Sequence, residues 1–224
     1  NLSSLPYGMP DYAAIRPEDY LPAFEQAFAE HKAEIAAITR VRSMPTFENT
    51  MVPLEASGRL LADVAHAFYT VSSADATPEI QAIEEQLAPI MSAHQDSIQL
   101  DAQLYWRIKT LHDQLDQLPL DPEQRYLVER HYTEMSHAGA GLDEAAKARL
   151  TEINQRLSTL TTQFEKNLLA DTNDLAVVFD DAADLEGLTD GELSAAAQAA
   201  ADRGLDGKWV VTLTLLTGHP YLDR

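Results

Sequence analysis

Cysteine is absent from all 224 residues, which excludes disulfides, thiolate zinc sites and a cysteine nucleophile, and fits a cytoplasmic protein. Positive charge is scarce: 16 Lys and Arg stand against 36 Asp and Glu, a formal net charge of −20. Such a surface repels phosphate backbones and anionic membrane faces, so neither nucleic acid nor a membrane is an expected partner. The acidic residues are spread along the chain rather than gathered in a tail, as in a solvated surface. No apolar run approaches the roughly 18 residues of a membrane span. No basic-then-apolar segment opens the chain. It begins at Asn1 rather than Met, which leaves a removed signal peptide open.

Several chemical motifs are missing as well. No histidine begins a His-Glu-x-x-His sequence, the arrangement that puts two imidazoles one helical turn apart beside a glutamate base. There is no Gly-x-Ser-x-Gly elbow and no Gly-x-x-x-x-Gly-Lys phosphate loop. Gly139-Ala140-Gly141 precedes a helix but lacks the lysine and a preceding strand, and reads as a helix stop. The histidines are His31, His66, His94, His112, His131, His137 and His219. His31 and His94 fall on apolar helix stripes, where a satisfied core or interface histidine is expected. His131 with Glu134, and His31 with Glu34, are spaced to share a helical face, a pattern that arises by chance in so acidic a chain. His219-Pro220 reads as a turn. The carboxylate pairs Glu84-Glu85, Asp180-Asp181 and Glu18-Asp19 lie in polar surroundings or beside turns, whereas a catalytic carboxylate needs burial to raise its pKa. The residues themselves thus supply no catalytic group, no metal ligand and no identifiable substrate contact.

What is present is a succession of amphipathic helices. Leu21, Phe24, Phe28, His31, Ile35 and Ile38 recur at spacings of three and four. Met51, Leu54, Leu61, Val64, Phe68 and Val71 form a second stripe with Gly58 inside it. Glycine in a helix costs about 1 kcal/mol against alanine, and close packing by a neighbouring helix is the expected compensation. Thr77-Pro78-Glu79 opens a third helix with a cap, a first-position proline and an acidic first turn. Its stripe is Ile80, Ile83, Leu87, Ile90 and His94, ending near Ile98. A fourth carries Leu104, Ile108, Leu111 and Leu115. Asp121-Pro122-Glu123-Gln124 starts a fifth, with Gln124 placed to close a capping box, and Gly139 and Gly141 end it. The longest helix runs from near Asp143 to about Asp171. Its Leu150, Ile153, Leu157, Leu160 and Phe164 have heptad-like spacing, too short-lived for a coiled coil, and a bundle helix is the reading.

After Asp171 the pattern changes. Leu175-Ala176-Val177-Val178-Phe179 predicts a short strand, Thr189-x-x-Glu192 caps an alanine-rich helix ending at Gly204, and a second strand follows. In it Trp209, Val211, Leu213 and Leu215 alternate with Lys208, Val210, Thr212 and Thr214. The expected fold class is mainly α, an antiparallel helical bundle with a small β element near the C-terminal end. The expected division is a helical domain over residues 1–173 and an incomplete strand–helix–strand region over 174–224.

One further signal lies in the wording of the chain. Leu5-Pro6-Tyr7, Met44-Pro45-Thr46-Phe47-Glu48-Asn49-Thr50 and Val52-Pro53-Leu54-Glu55 are followed by Ala88-Pro89 and Ala93-His94-Gln95-Asp96. Ala138-Gly139-Ala140 and Gly204-Leu205-x-Gly207-Lys208-Trp209 come later. In this order and spacing they resemble the amino-terminal part of a bacterial peptidyl-dipeptidase, of the zinc metallopeptidase family that includes thimet oligopeptidase and oligopeptidase A. The likeness runs from Leu5 to about Pro220. Leu215-Leu216-Thr217-Gly218-His219 departs from it, since Asn-Thr-Thr commonly precedes that proline in the bacterial relatives.

The resemblance implies an almost wholly helical parent enzyme, much longer than this chain, whose zinc-binding helix lies beyond residue 224. It implies that the amino-terminal helices form one wall of a deep channel admitting short peptides. This chain alone is then expected to be inactive and to hold no zinc. An apolar strand edge from Trp209 to Leu216, left uncovered, is expected to promote self-association. A reading of another class, a free-standing acidic helical module that binds a protein partner, accounts for the composition but not for the clustered signature.

Overall fold

The computed structural model describes residues 5–212, which belong to two compact units, Asn1–Thr162 and Gln163–Arg224. Among the described residues the first unit contains helices and no strand. It comprises α1 (Pro17–Thr39), a π-helical turn (Phe47–Met51), α2 (Val52–Ala56), α3 (Arg59–Ala74), α4 (Pro78–Gln99), α5 (Ala102–His112), α6 (Pro122–Ala138) and the first part of α7 (Glu144–Asp174). The starts are set locally. Thr77, Asp101 and Asp121 each accept a hydrogen bond from a backbone N–H of the first turn, and Gln124 Oε1 accepts one from Asp121 N. Pro17, Pro78 and Pro122 occupy first helical positions, where no N–H is needed.

Two apolar clusters hold this unit together, and α1 contributes to both. Its N-terminal half places Tyr20, Phe24 and Phe28 against Phe68 of α3 and Ile80, Ile83 and Leu87 of α4. Phe68 meets Tyr20 and Phe24 edge-on, with ring centroids 5.1 and 5.8 Å apart, the arrangement that the aromatic quadrupole favours. Its C-terminal half places Ile35 and Ile38 with Met51, Leu104, Ile108, Leu111, Val128 and Met135. His31 lies on α1 between the two sets.

Two expectations for this unit need correction. Gly58 does not lie within a helix. It adopts φ +74° and separates α2 from α3, so the predicted second stripe is carried by two helices meeting at a corner. The expected close neighbour is real: a Cβ on Gly58 would come within 2.9–3.1 Å of the His31 ring.

The face of α7 is also reversed from a bundle helix. Asn154 Nδ2 donates to Asp96 Oδ1 (2.8 Å) and Ser158 Oγ to the Ala88 carbonyl (2.9 Å), so a polar stripe meets α4 in antiparallel sense. Ile153, Leu157 and Leu160 are exposed.

The second unit holds a two-stranded antiparallel sheet and α8 (Asp190–Ala201). Strand β1 (Val177–Phe179) pairs with β2 (Trp209–Val211) in the register Val177–Val211, Val178–Val210 and Phe179–Trp209. Thr189 and Glu192 form the predicted capping box of α8. That helix packs on β2, with Ala196 and Ala200 buried. Val210 and Val211 are both buried, because α8 covers the strand and β1 pairs along it; the expected alternation, which set Val210 on a polar face, does not hold. One edge of β2 is paired by β1 and the Val210 and Val211 side chains are buried; Leu213 and Leu215, the rest of the expected apolar edge, lie outside the described residues. Among the described residues of this unit, Phe164, Leu168, Leu169, Leu175, Val177 and Val178 are exposed.

Candidate functional site

The signature segment turns out to be organised by a buried cation. Arg107, on α5, is 1% exposed, and its partners are all neutral oxygens. Nη1 donates to the Val41 carbonyl (2.9 Å), Nη2 to Asn49 Oδ1 (2.6 Å), and Nε and Nη2 to Thr50 Oγ1 (3.2 and 3.0 Å). Burial lowers the Arg107 pKa from the ordinary arginine value, yet a guanidinium stays protonated in proteins.

Asn49 is the hub on the other side. Its Oδ1 also accepts from Thr46 N (2.8 Å) and Thr50 Oγ1 (2.9 Å), while Nδ2 donates to the Met44 carbonyl (3.0 Å) and Ser43 Oγ (3.2 Å). Thr46 Oγ1 accepts from Asn49 N, closing a capping box at the π-helical turn. The stretch Met44–Thr50 is thus a joint that needs an amide at 49, since a carboxylate there has no donor for the Met44 carbonyl.

A second polar cluster is built on α1 and α4. His94, 3% exposed, places Nε2 3.0 Å from His31 Nδ1, and His31 Nε2 lies 3.4 Å from Ser57 Oγ. Ser57 Oγ donates to the Leu54 carbonyl (2.7 Å), so it can only accept from His31. That fixes the direction: His94 Nε2–H to His31 Nδ1, His31 Nε2–H to Ser57, Ser57 to Leu54, with both imidazoles neutral. Burial is the main reason that His94 titrates near 4 rather than 6.5, with His31 and Lys32 opposing its charge further. Burial lowers His31 as well, against the pull of Glu34. His94 Nδ1 has no hydrogen-bond partner among the described residues, so this core histidine is only half satisfied. Glu34 itself accepts from Gly58 N (2.7 Å). An open cleft of about 410 Å³ shares residues with both clusters, being lined by Glu34, Ile38, Val41, Asn49, Pro53 and Ser57 among others.

The Ser57–His31–His94 chain has the composition of a nucleophile with a base, but the geometry opposes that chemistry. The serine hydrogen is committed to a carbonyl, the serine–histidine distance is long, and the third member is a neutral imidazole where a carboxylate is needed to stabilise imidazolium.

The remaining histidines are dispersed. His131 Nε2 meets Glu55 Oε1 (2.6 Å) rather than Glu134, which pairs with Arg130 (2.7 Å). His112 stacks on Tyr132 with centroids 3.8 Å apart, and His66 and His137 are exposed. His219 lies outside the described residues. Several of the paired carboxylates serve local structure: Asp19 caps the start of α1, Glu84 accepts from Ser72, Asp180 pairs with Lys208 (2.8 Å), and Asp181 accepts from Ala183 N. Among the described residues no group of three or more His, Asp or Glu side chains is placed to hold a metal ion, and no helix is long and apolar enough to cross a membrane. Sequence reasoning missed Arg107, although a cation at 107 interrupts the apolar stripe Leu104–Ile108–Leu111 and was the available signal.

No family model matches the chain. It is similar over 220 residues to dipeptidyl carboxypeptidase of Escherichia coli, at 37% identity, covering 98% of this chain and 32% of that protein. Similarity to the Salmonella typhimurium dipeptidyl carboxypeptidase is 35% over 220 residues, again 98% of this chain and 32% of the relative. Oligopeptidase A of E. coli matches at 27% identity over 221 residues, 97% of this chain and 32% of that protein. The chain spans about a third of the length of these relatives. Over nearly its whole length the chain is thus similar to the amino-terminal third of dipeptidyl carboxypeptidase and oligopeptidase A.

Proposed function

We propose that this chain is the amino-terminal, non-catalytic part of a zinc-dependent peptidyl-dipeptidase or oligopeptidase that hydrolyses short peptides, and that its helices form one wall of the substrate channel. The observation that carries the reading is the reach of the match: nearly the whole chain aligns with a third of a dipeptidyl carboxypeptidase, leaving two thirds of that enzyme to hold the chemistry. In this reading residues 1–173 act as wall and scaffold, and 174–224 open a domain that later polypeptide completes.

Among the described residues no set of side chains fits a zinc ion. His31 and His94 face each other at 3.0 Å through a direct hydrogen bond, with a serine as the next neighbour and no third nitrogen or carboxylate converging. Zinc would be bound outside this chain, where it would polarise the scissile carbonyl and activate water. This chain's own share is steric: a rigid helical face, held by Arg107 and the two apolar clusters, that limits what enters.

Extending the reading frame past Arg224 and purifying the longer polypeptide tests the proposal. The expected result is a His-Glu-x-x-His sequence, one zinc per chain and release of dipeptides from short peptides, with neither zinc nor hydrolysis from the 224-residue chain alone. A longer polypeptide that binds no zinc and leaves short peptides intact overturns it.

A further inference from the structure

Helix α7 turns the wrong face to its own unit. Where it crosses α4, the residues that make contact are polar: Asn154 to Asp96 and Ser158 to the Ala88 carbonyl. The apolar residues of the same turns point away, with Ile153 41% exposed, Leu157 56% and Leu160 42%. A solvated helix ordinarily presents the reverse arrangement. The spacing of 153, 157 and 160 is four then three, the ridge that seats between the side chains of another helix crossing at about 20°. Two turns of helix therefore carry a seam built for a helical neighbour that the described residues of the first unit do not supply.

We infer that this seam is the docking face for a helix from the remaining two thirds of the polypeptide, an assignment that rests on the family reading above. Two observations select that occupant. The relatives that match almost all of this chain extend over three times its aligned span, since the match covers only 32% of their length. A second copy is the poorer candidate, because each copy brings a formal charge of −20 to the contact. A helix from the same polypeptide is moreover held at high effective concentration, so a seam of two turns suffices where a free partner would need a larger area.

The absence of cysteine supplies the test. Leu157→Cys, with Ile153→Cys as an independent second position, introduces a thiol into the seam of the 224-residue chain and of the full-length polypeptide. Both are treated with a small thiol reagent, and the modified peptide is quantified by mass spectrometry. Far-ultraviolet circular dichroism confirms that each variant retains its helices. The expected result is fast labelling in the 224-residue chain and labelling slowed about tenfold or more in the full-length polypeptide, as for groups reached only through local opening. Equal, fast labelling in both overturns the inference. Slow labelling in both, with sedimentation showing a dimer of the shorter chain, overturns it in favour of a second copy. Peptide hydrolysis by the unmodified full-length polypeptide is measured alongside. Protection without hydrolysis leaves the seam assigned and removes the peptidase reading, and hydrolysis without protection does the opposite.

Discussion

Gly58→Ala probes the contact between the α2–α3 corner and the histidine pair. Two costs add. At φ +74° an alanine sits in the left-handed region, which costs about 1–2 kcal/mol. Its Cβ would also meet His31 Cε1, Nε2 and Nδ1 at 2.9, 3.0 and 3.1 Å, so the ring must move. Moving it breaks the bonds to His94 Nε2 and Ser57 Oγ, each worth about 0.5–1.5 kcal/mol net. The expected total is about 2–5 kcal/mol. In a His31→Ala background the obstacle is gone, and only the backbone part remains, about 1–2 kcal/mol. The coupling energy of the cycle should therefore be at least about 1 kcal/mol. Urea unfolding followed by tryptophan fluorescence measures it. The chain has two tryptophans, Trp106 on α5 and Trp209 on β2, so a Trp209→Phe background confines the signal to the first unit. Equal costs for Gly58→Ala with and without the His31 ring would refute the argument.

Other perturbations follow from the same geometry. Arg107→Met should destabilise the first unit by about 1–3 kcal/mol, since the Val41 carbonyl and Thr50 Oγ1 lose the donor that Arg107 supplies while Asn49 Oδ1 keeps Thr46 N and Thr50 Oγ1. Arg107→Lys should recover little of this, because one ammonium cannot span three oxygens; full stability of either variant in urea contradicts the clamp. For His94, the folded value near 4 lies below the unfolded 6.5, so the unfolded chain takes up its proton first. Stability is complete above about pH 6.5 and is lost progressively as pH falls to about 4, by about 1–3 kcal/mol after allowance for screening. His31, Lys32 and Glu34 are the charged or titratable neighbours that modulate this window. His94→Phe should flatten the slope between pH 6.5 and 4, and an unchanged slope counts against it. In the 224-residue chain, Leu157→Lys should change stability by no more than about 0.5 kcal/mol, whereas Ile108→Ala, fully buried, should cost about 2–5 kcal/mol. Comparable losses for the two would show that α7 is packed through its apolar face.

Helix positions and starts were readable because their causes are local: Thr77, Asp121 and Thr189 each bond a backbone N–H within their own first turn. The short strands were readable in place, though not in exposure, because the burial of Val210 depends on α8. Periodicity places Leu157 and Leu160 on one face but cannot say whether anything meets it. The link between His31 and His94 joins residues 63 apart in sequence, and no spacing rule reaches that far. The signature around Asn49 was readable as a pattern. Its physical reason was not, because the guanidinium that needs it comes from another helix.

The distance along the chain between Asn49 and Arg107, 58 residues, also orders events during synthesis. The signature segment leaves the ribosome before the helix that organises it exists. At a translation rate of roughly 5–20 residues per second the delay is about 3–12 s, long compared with helix formation. During that interval Met44–Thr50 has only its own local bonds, the capping box and the Asn49 contacts to Ser43, Met44 and Thr50, and the second apolar cluster on α1 still lacks α5. Any nascent or shortened chain that stops before residue 107 therefore carries the family signature as sequence without the geometry that the signature encodes.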